Sequence, residues 1–218
     1  MPAIPLMRRG HRGIAAAAAL LAAALVSCDA PLGGTTPDVG PAPSSTAEVT
    51  PSSPPGLPRS EPDIVDIPNI AVHSSLTELG LNPDQTVQVP PVSTPMQAGW
   101  YKHGPTPGEI GPAVILGHVD GNKQRGVFYR LHELSVGAEV HITRKDGRTI
   151  TFQVRNVQRV AKDSFPTDAV YANTTTPELR LITCGGAFNH TTHNYLDNII
   201  VYATMADPTS HPRSPEAT

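Results

Sequence analysis

From Asp63 onward the chain is a succession of short β-type runs broken by Gly, Pro and Asn, and no feature constrains its fold more. Strands are expected in "DIVDIPNIAV", "QTVQV", "PAVILGHV", "EVHITR", "TITFQVRNVQRV", "ELRLITC" and "NIIVYATM". Each combines β-branched residues with alternation or an unbroken apolar stretch, and each is bounded by turn formers. "RKDG", residues 144–147, separates two alternating runs and predicts a hairpin turn. The best helical candidates, "HSSLTELGL" and "VFYRLHELSVG", are both short. Seven or eight strands with no long amphipathic helix predict an all-β fold, a closed or nearly closed barrel with one or two short helices. No internal repeat is visible.

The N-terminal part has a different character. Arg8, Arg9 and Arg12 precede an uninterrupted apolar run from Gly13 to Val26. That run is short of the roughly 20 residues a membrane-spanning helix needs, so residues 1–28 are expected to be a signal segment. It ends in Leu25-Val26-Ser27-Cys28, which resembles a bacterial lipobox. This makes Cys28 the expected lipidation site; a signal peptide cleaved nearby and an uncleaved anchor are the alternatives. Residues 29–62 are rich in Pro, Ser, Thr and Gly and poor in apolar side chains. Such a stretch buries too little to offset its ordering entropy, so a disordered tether is expected, followed by a folded domain at 63–207 and a polar tail at 208–218. The arrangement predicts an extracytoplasmic protein tethered to the outer face of the membrane. A net charge of −3 offers no basic field for nucleic acid, and a monomer is expected.

The chain has two cysteines, Cys28 and Cys184. A pair in an exported protein suggests a disulfide, but a lipidated Cys28 is blocked, leaving Cys184 as the free thiol. Cys184 ends a strand-like run and is followed by Gly185-Gly186, so the chain turns at once and leaves the thiol accessible. The plain alternative is a small buried filler, a common role for free cysteine. A nucleophilic thiol needs a cationic neighbour to become thiolate. Of nine histidines, His118 stands out: it follows "PAVILG" at a strand end and precedes the loop "VDGNKQRG". His190 and His193 have a metal-like spacing but lack a third ligand, and Asp163, Asp168 and Glu178 are too scattered for calcium. No metal and no cofactor are expected.

"AVILGHVDGNKQRGVFYRLHELSVGAEV" followed by "LRLITCGG" resembles a sortase, most like the class F branch of Gram-positive actinobacteria. The resemblance extends from about Asp63 to Asp207 and includes "IPNIAVHSSLTELGL", "QAGWYKHGPTPGEIGPAVILGHVD", "DGRTITFQVRNVQRV" and "DNIIVYA". It implies an eight-stranded sortase-type barrel and a cysteine transpeptidase. Such an enzyme cuts an LPXTG-like sorting signal and passes the acyl group to an amine of peptidoglycan or its precursor. Carried onto this chain, Cys184 is the nucleophile and His118 the acid/base that protonates the leaving amine.

The sequence departs from the family at one point. Sortases usually carry an arginine on the last strand or just before it, yet no Arg or Lys occurs between Cys184 and Asp207. Asn198 is the first candidate for a neutral oxyanion donor, with Arg180 and Arg130 as alternatives. Ile182, and Trp100-Tyr101 in an expected loop before "GPAVILGH", are candidate peptide contacts, although Trp100 has an equally good role capping the barrel. Two other classes compete: an L,D-type Cys/His peptidoglycan transpeptidase, and a non-catalytic peptide-binding lipoprotein on a degenerate sortase barrel. "HPRSPEAT" carries no sorting motif with a hydrophobic tail, so the protein is not expected to be a client itself.

Overall fold

The computed structural model describes residues 56–206 and the backbone of a two-residue strand at Ile4–Pro5. The expected lipidation site Cys28, most of the expected tether and the C-terminal tail lie outside the described residues. In chain order the strands are β1 (Ile4–Pro5), β2 (Pro62–Ile67), β3 (Val72–Leu79), β4 (Thr86–Val87), β5 (Ala98–Tyr101) and β6 (Gly111–Gly117). They continue as β7 (Asp120–Gly121), β8 (Gln124–Arg125), β9 (Glu139–Arg144) and β10 (Thr149–Ala161). A single α-helix, α1 (Thr167–Tyr171), precedes β11 (Pro177–Asn189) and β12 (Asn194–Met205).

Eight of these strands close a barrel in the order β10-β12-β11-β6-β5-β3-β2-β9. The β11–β6 and β3–β5 pairs are parallel and the other pairings within the barrel are antiparallel. Two small ribbons, β1–β4 and β7–β8, lie apart from it. Side-chain alternation explains the closure. Val140 and Ile142 of β9, and Ile150, Phe152 and Val154 of β10, point inward, between more exposed neighbours. Strand β6 is buried along its whole length. Its Ala113 and Ile115 enter the barrel core, while Val114 and Leu116 pack outside it with Ile182, Ile200 and Val170 of α1. A strand covered on both faces reads as a continuous apolar run, which is what "PAVILG" is.

The barrel agrees with the sequence-based expectation; three local readings do not. Residues 73–81, expected as a helix, mostly form β3, whose alternating burial across Val72–Ser75 is a strand pattern. The second helical candidate, residues 127–137, holds only a short 3-10 turn at Leu131–Glu133. The α-helix that does form lies at Thr167–Tyr171, outside both candidates. The hairpin expected at "RKDG" joins β9 to β10, with Gly147 at positive φ.

Packing also begins before Asp63. Leu57 N–H donates to the Gly108 carbonyl (2.7 Å), and the Arg144 guanidinium donates to the Pro58 carbonyl (2.8 Å). Residues 56–61, expected as the end of the tether, therefore lie along the barrel.

Candidate active site

Strands β6 and β11 run parallel, with Leu116 paired to Ile182. Two residues further come His118, just past the end of β6, and Cys184, within β11. Contrary to the sequence-based expectation, the chain does not turn at Gly185-Gly186 and the thiol is not exposed: β11 runs on to Asn189, and pairing with β12 covers Cys184. With a two-residue side-chain period His118 and Cys184 keep the parity of Leu116 and Ile182 and therefore leave the sheet on one face. Both are buried, at 2% and 3% exposure, and both border one cavity of about 190 Å³. Val92, Asp120, His193 and Tyr195 complete much of its wall. Cys184 also borders a second cavity, of about 420 Å³, with Phe128, His132, Arg159, Thr183 and Tyr195.

His118 is fixed from two directions. Its ring Nε2–H donates to the Pro90 carbonyl at 2.6 Å, leaving Nδ1 as the basic nitrogen of the neutral ring. Burial lowers its pKa from the ordinary value of 6.5, and the Pro90 carbonyl opposes that shift by favouring the imidazolium. Its own carbonyl accepts from Phe128 N–H at 2.9 Å. Gly126 lies so close beneath this carbonyl that any Cβ there would overlap it. The loop that returns the chain under His118 is the β7–β8 ribbon. Asn122 and Lys123, both at positive φ, form its two-residue turn.

Tyr195 closes the cavity from β12. Its hydroxyl donates to the Asp120 carboxylate, and its pKa is pushed up to about 12, first by burial and then by Asp120. At neutral pH it is a protonated hydroxyl.

The other sequence candidates fall in varied places. Asn198 is the cross-strand partner of Cys184 and is buried, but it borders neither cavity. Arg180 is committed elsewhere. Its guanidinium donates to Glu178 and to the Ala169 carbonyl and stacks over Tyr202 at 4.7 Å. Arg130 pairs with Glu133 in the exposed 3-10 turn. Ile182 is sealed beneath α1 rather than open to a groove. Trp100 is on β5 rather than in a loop. It is 2% exposed within the barrel core, with its indole N–H on the Pro105 carbonyl at 3.2 Å. Among the described residues no three His, Cys, Asp or Glu side chains converge as a metal site.

Sequence reasoning missed one basic group. Arg159, on β10, borders the larger cavity with Cys184, and its Nε–H donates to Asp197 of β12. The sequence candidates, Asn198, Arg180 and Arg130, lie on β12, β11 and beside the Leu131–Glu133 turn, whereas Arg159 is on β10. The signal that would have found it is the antiparallel register of β10 against β12, which sets Arg159 beside Ile199.

The closed eight-stranded barrel thus brings a buried thiol, within β11, and a buried imidazole, just past the end of the parallel strand β6, to one cavity. The sortase-domain family profile matches residues 65–206, and the chain belongs to the sortase family, whose members are cysteine transpeptidases. As a family, sortases are cell-surface enzymes acting on sorting-signal peptides and cell-wall amines. No curated protein matches.

Solved structures share the fold. A Clostridium perfringens sortase D5 transpeptidase is 21% identical, with a TM-score of 0.50, covering 68% of this chain and 82% of that one. Sortase A from Corynebacterium diphtheriae is 20% identical at a TM-score of 0.52, covering 71% and 65%. Sortase C1 of Streptococcus agalactiae is 18% identical at 0.51, covering 69% of each chain.

Proposed function

We propose that this sortase is a class F-like enzyme of the outer membrane face that cleaves an LPXTG-like sorting signal through Cys184. The observation that carries the reading is the cavity shared by the buried side chains of Cys184 and His118. The thiolate attacks the threonine carbonyl, the C–N bond to the following residue breaks, and the His118 imidazolium gives its proton to the departing amine. A peptidoglycan amine then attacks the thioester carbonyl and gives its proton to the now neutral His118; the C–S bond breaks and its electron pair returns to sulfur, restoring the thiolate and imidazolium. Asn198, the cross-strand partner of Cys184, is the sequence candidate for a neutral oxyanion donor, but it borders neither of the two cavities described at Cys184.

Anchoring through a lipidated Cys28 completes the reading. Cys28→Ala is expected to remove the acyl mass and release the protein from membranes; membrane retention without acyl mass would point to an uncleaved apolar segment.

The test is turnover of an LPXTG peptide, with an amine acceptor, by the full-length protein and its Cys184→Ala and His118→Gln variants. A thioester mass on Cys184 and loss of product in both variants are expected. Peptide binding without any thioester would instead favour a non-catalytic barrel.

A further inference from the structure

Attack on a peptide carbonyl moves an electron pair onto its oxygen, and preorganised positive charge there lowers the barrier. The last strand carries no cation at this height: Leu196, Asp197 and Asn198 occupy it. Among the described residues, Arg159 is the arginine that lines the larger of the two cavities described at Cys184, and no arginine lines the smaller. We infer that Arg159, presented from β10 and held by Asp197, is the cation that meets the developing oxyanion at Cys184. This rests on the transpeptidase reading above.

Three observations carry it. First, the tether uses Nε alone. A guanidinium has five N–H donors, so both terminal amino groups stay free to face a ligand. Asp197 is only 16% exposed while Arg159 is 62% exposed, so the carboxylate acts as a fixed post and the fork projects from it. Second, Nη2 lies over the irregular stretch of β11 that follows the nucleophile, where the register shifts between Gly185 and Phe188. A Cβ on Gly186 would sit 2.9 Å from it and would overlap the Asp197 carboxylate. Gly186 therefore leaves room for this ion pair. Third, the wall beside Arg159 holds an unsatisfied donor. Among the described residues Thr183 Oγ1 is buried with no hydrogen-bond partner, and Thr183 borders the same cavity. A buried hydroxyl left unpaired beside a free guanidinium is suited to a bound carbonyl oxygen. No proton leaves Arg159 during the step; it stabilises charge and nothing more.

The alternative is that Arg159–Asp197 merely joins two strands, and charge-selective alkylation separates the two. In the full chain, Cys184 modification by iodoacetate and by iodoacetamide is followed at the peptide level by mass spectrometry. A cation in the cavity favours the anionic reagent. Arg159→Gln is expected to lower the iodoacetate-to-iodoacetamide rate ratio by about threefold or more at low salt, with the difference shrinking in 1 M salt. Arg155→Gln, on the same strand with its Nε on Thr204, is the control and keeps the wild-type ratio.

With LPXTG peptide, Arg159→Gln is expected to lower kcat/KM by roughly 10²–10³, mainly through kcat, with Arg159→Lys recovering only part. Equal alkylation ratios in wild type and Arg159→Gln would overturn the assignment whatever the peptide does. So would a larger loss for Asn198→Ala than for Arg159→Gln. A ratio that depends on Arg159 in a protein that turns over no peptide would remove the transpeptidase reading and leave the guanidinium assigned to the Cys184 cavity.

Discussion

His118 and Cys184 stand at matching heights on parallel strands, each two residues beyond the Leu116–Ile182 pair and each almost fully buried. Strand registry, rather than a flexible loop, sets their approach. Burial then acts on the two groups through the same cavity, and it gives His118 a measurable signature.

Because burial lowers the folded-state pKa of His118 below 6.5, the unfolded chain takes up its proton first as pH falls. The stability contributed by neutral His118 is thus complete above about pH 6.5 and is lost as pH drops toward the lower folded value. Denaturant midpoints measured between pH 7.5 and 5 are expected to fall more steeply for wild type than for His118→Gln. Parallel slopes would mean that this burial has no thermodynamic weight.

Gly126 supports the same imidazole from below. A methyl group at this position overlaps the His118 carbonyl, and Phe128 N–H already holds that carbonyl on the other side. Gly126→Ala is expected to cost about 1–3 kcal/mol, the range for overpacking. Turnover should fall at least tenfold even at temperatures where the variant is fully folded. A destabilised variant with normal turnover would show that the His118 backbone has room to shift without consequence.

The barrel was legible because its strands alternate or run apolar to a β period; the strand end expected at Cys184 was not there, since β11 continues to Asn189. What was not legible depends on pairing between distant segments. Residues 73–81 have helix-compatible composition, but β3 pairs with β2 and β5, and these ladders override a weak local preference. Trp100 was set in a loop because "AGWY" is only four residues long; its indole nevertheless fills the barrel. Arg159 was invisible for the same reason. Only the β10–β12 register brings it beside the part of β11 that follows Cys184, and a strand-by-strand reading does not contain that register.

Gly186 tests this register directly. It holds φ +77 and leaves no space for a Cβ beside Asp197 and Arg159. Gly186→Ala is expected to cost about 1–3 kcal/mol through backbone strain. It should also reduce the iodoacetate preference of Cys184 toward the Arg159→Gln level, because the ion pair must part. Strain without loss of charge preference would mean that Arg159 can reach the cavity without Asp197.

Arg144 governs the start of the packed region. Its side chain has no exposed surface, although its guanidinium carries a full charge. It donates to the Pro107 carbonyl at 2.7 Å, to the Pro58 carbonyl at 2.8 Å and to Asp146 at 2.8 Å. These acceptors belong to three separate segments, so one side chain ties residues 56–61 and the loop before β6 to the β9–β10 hairpin. Replacing it with Met keeps most of the volume but leaves the Pro107 and Pro58 carbonyls and the Asp146 carboxylate without their donor. A buried acceptor left unpaired costs about 1–3 kcal/mol, a sizeable share of a domain's stability. Arg144→Met is expected to lower the unfolding free energy by that amount, read as a lower urea midpoint, and to abolish hydrogen-exchange protection of the Leu57 amide, which bonds the Gly108 carbonyl. If the Leu57 amide stays protected while stability falls, the N-terminal segment is held by Leu57 packing and Arg59 over Trp100 instead. The Cys184 and His118 cavity, built on other strands, should keep its alkylation behaviour in either case.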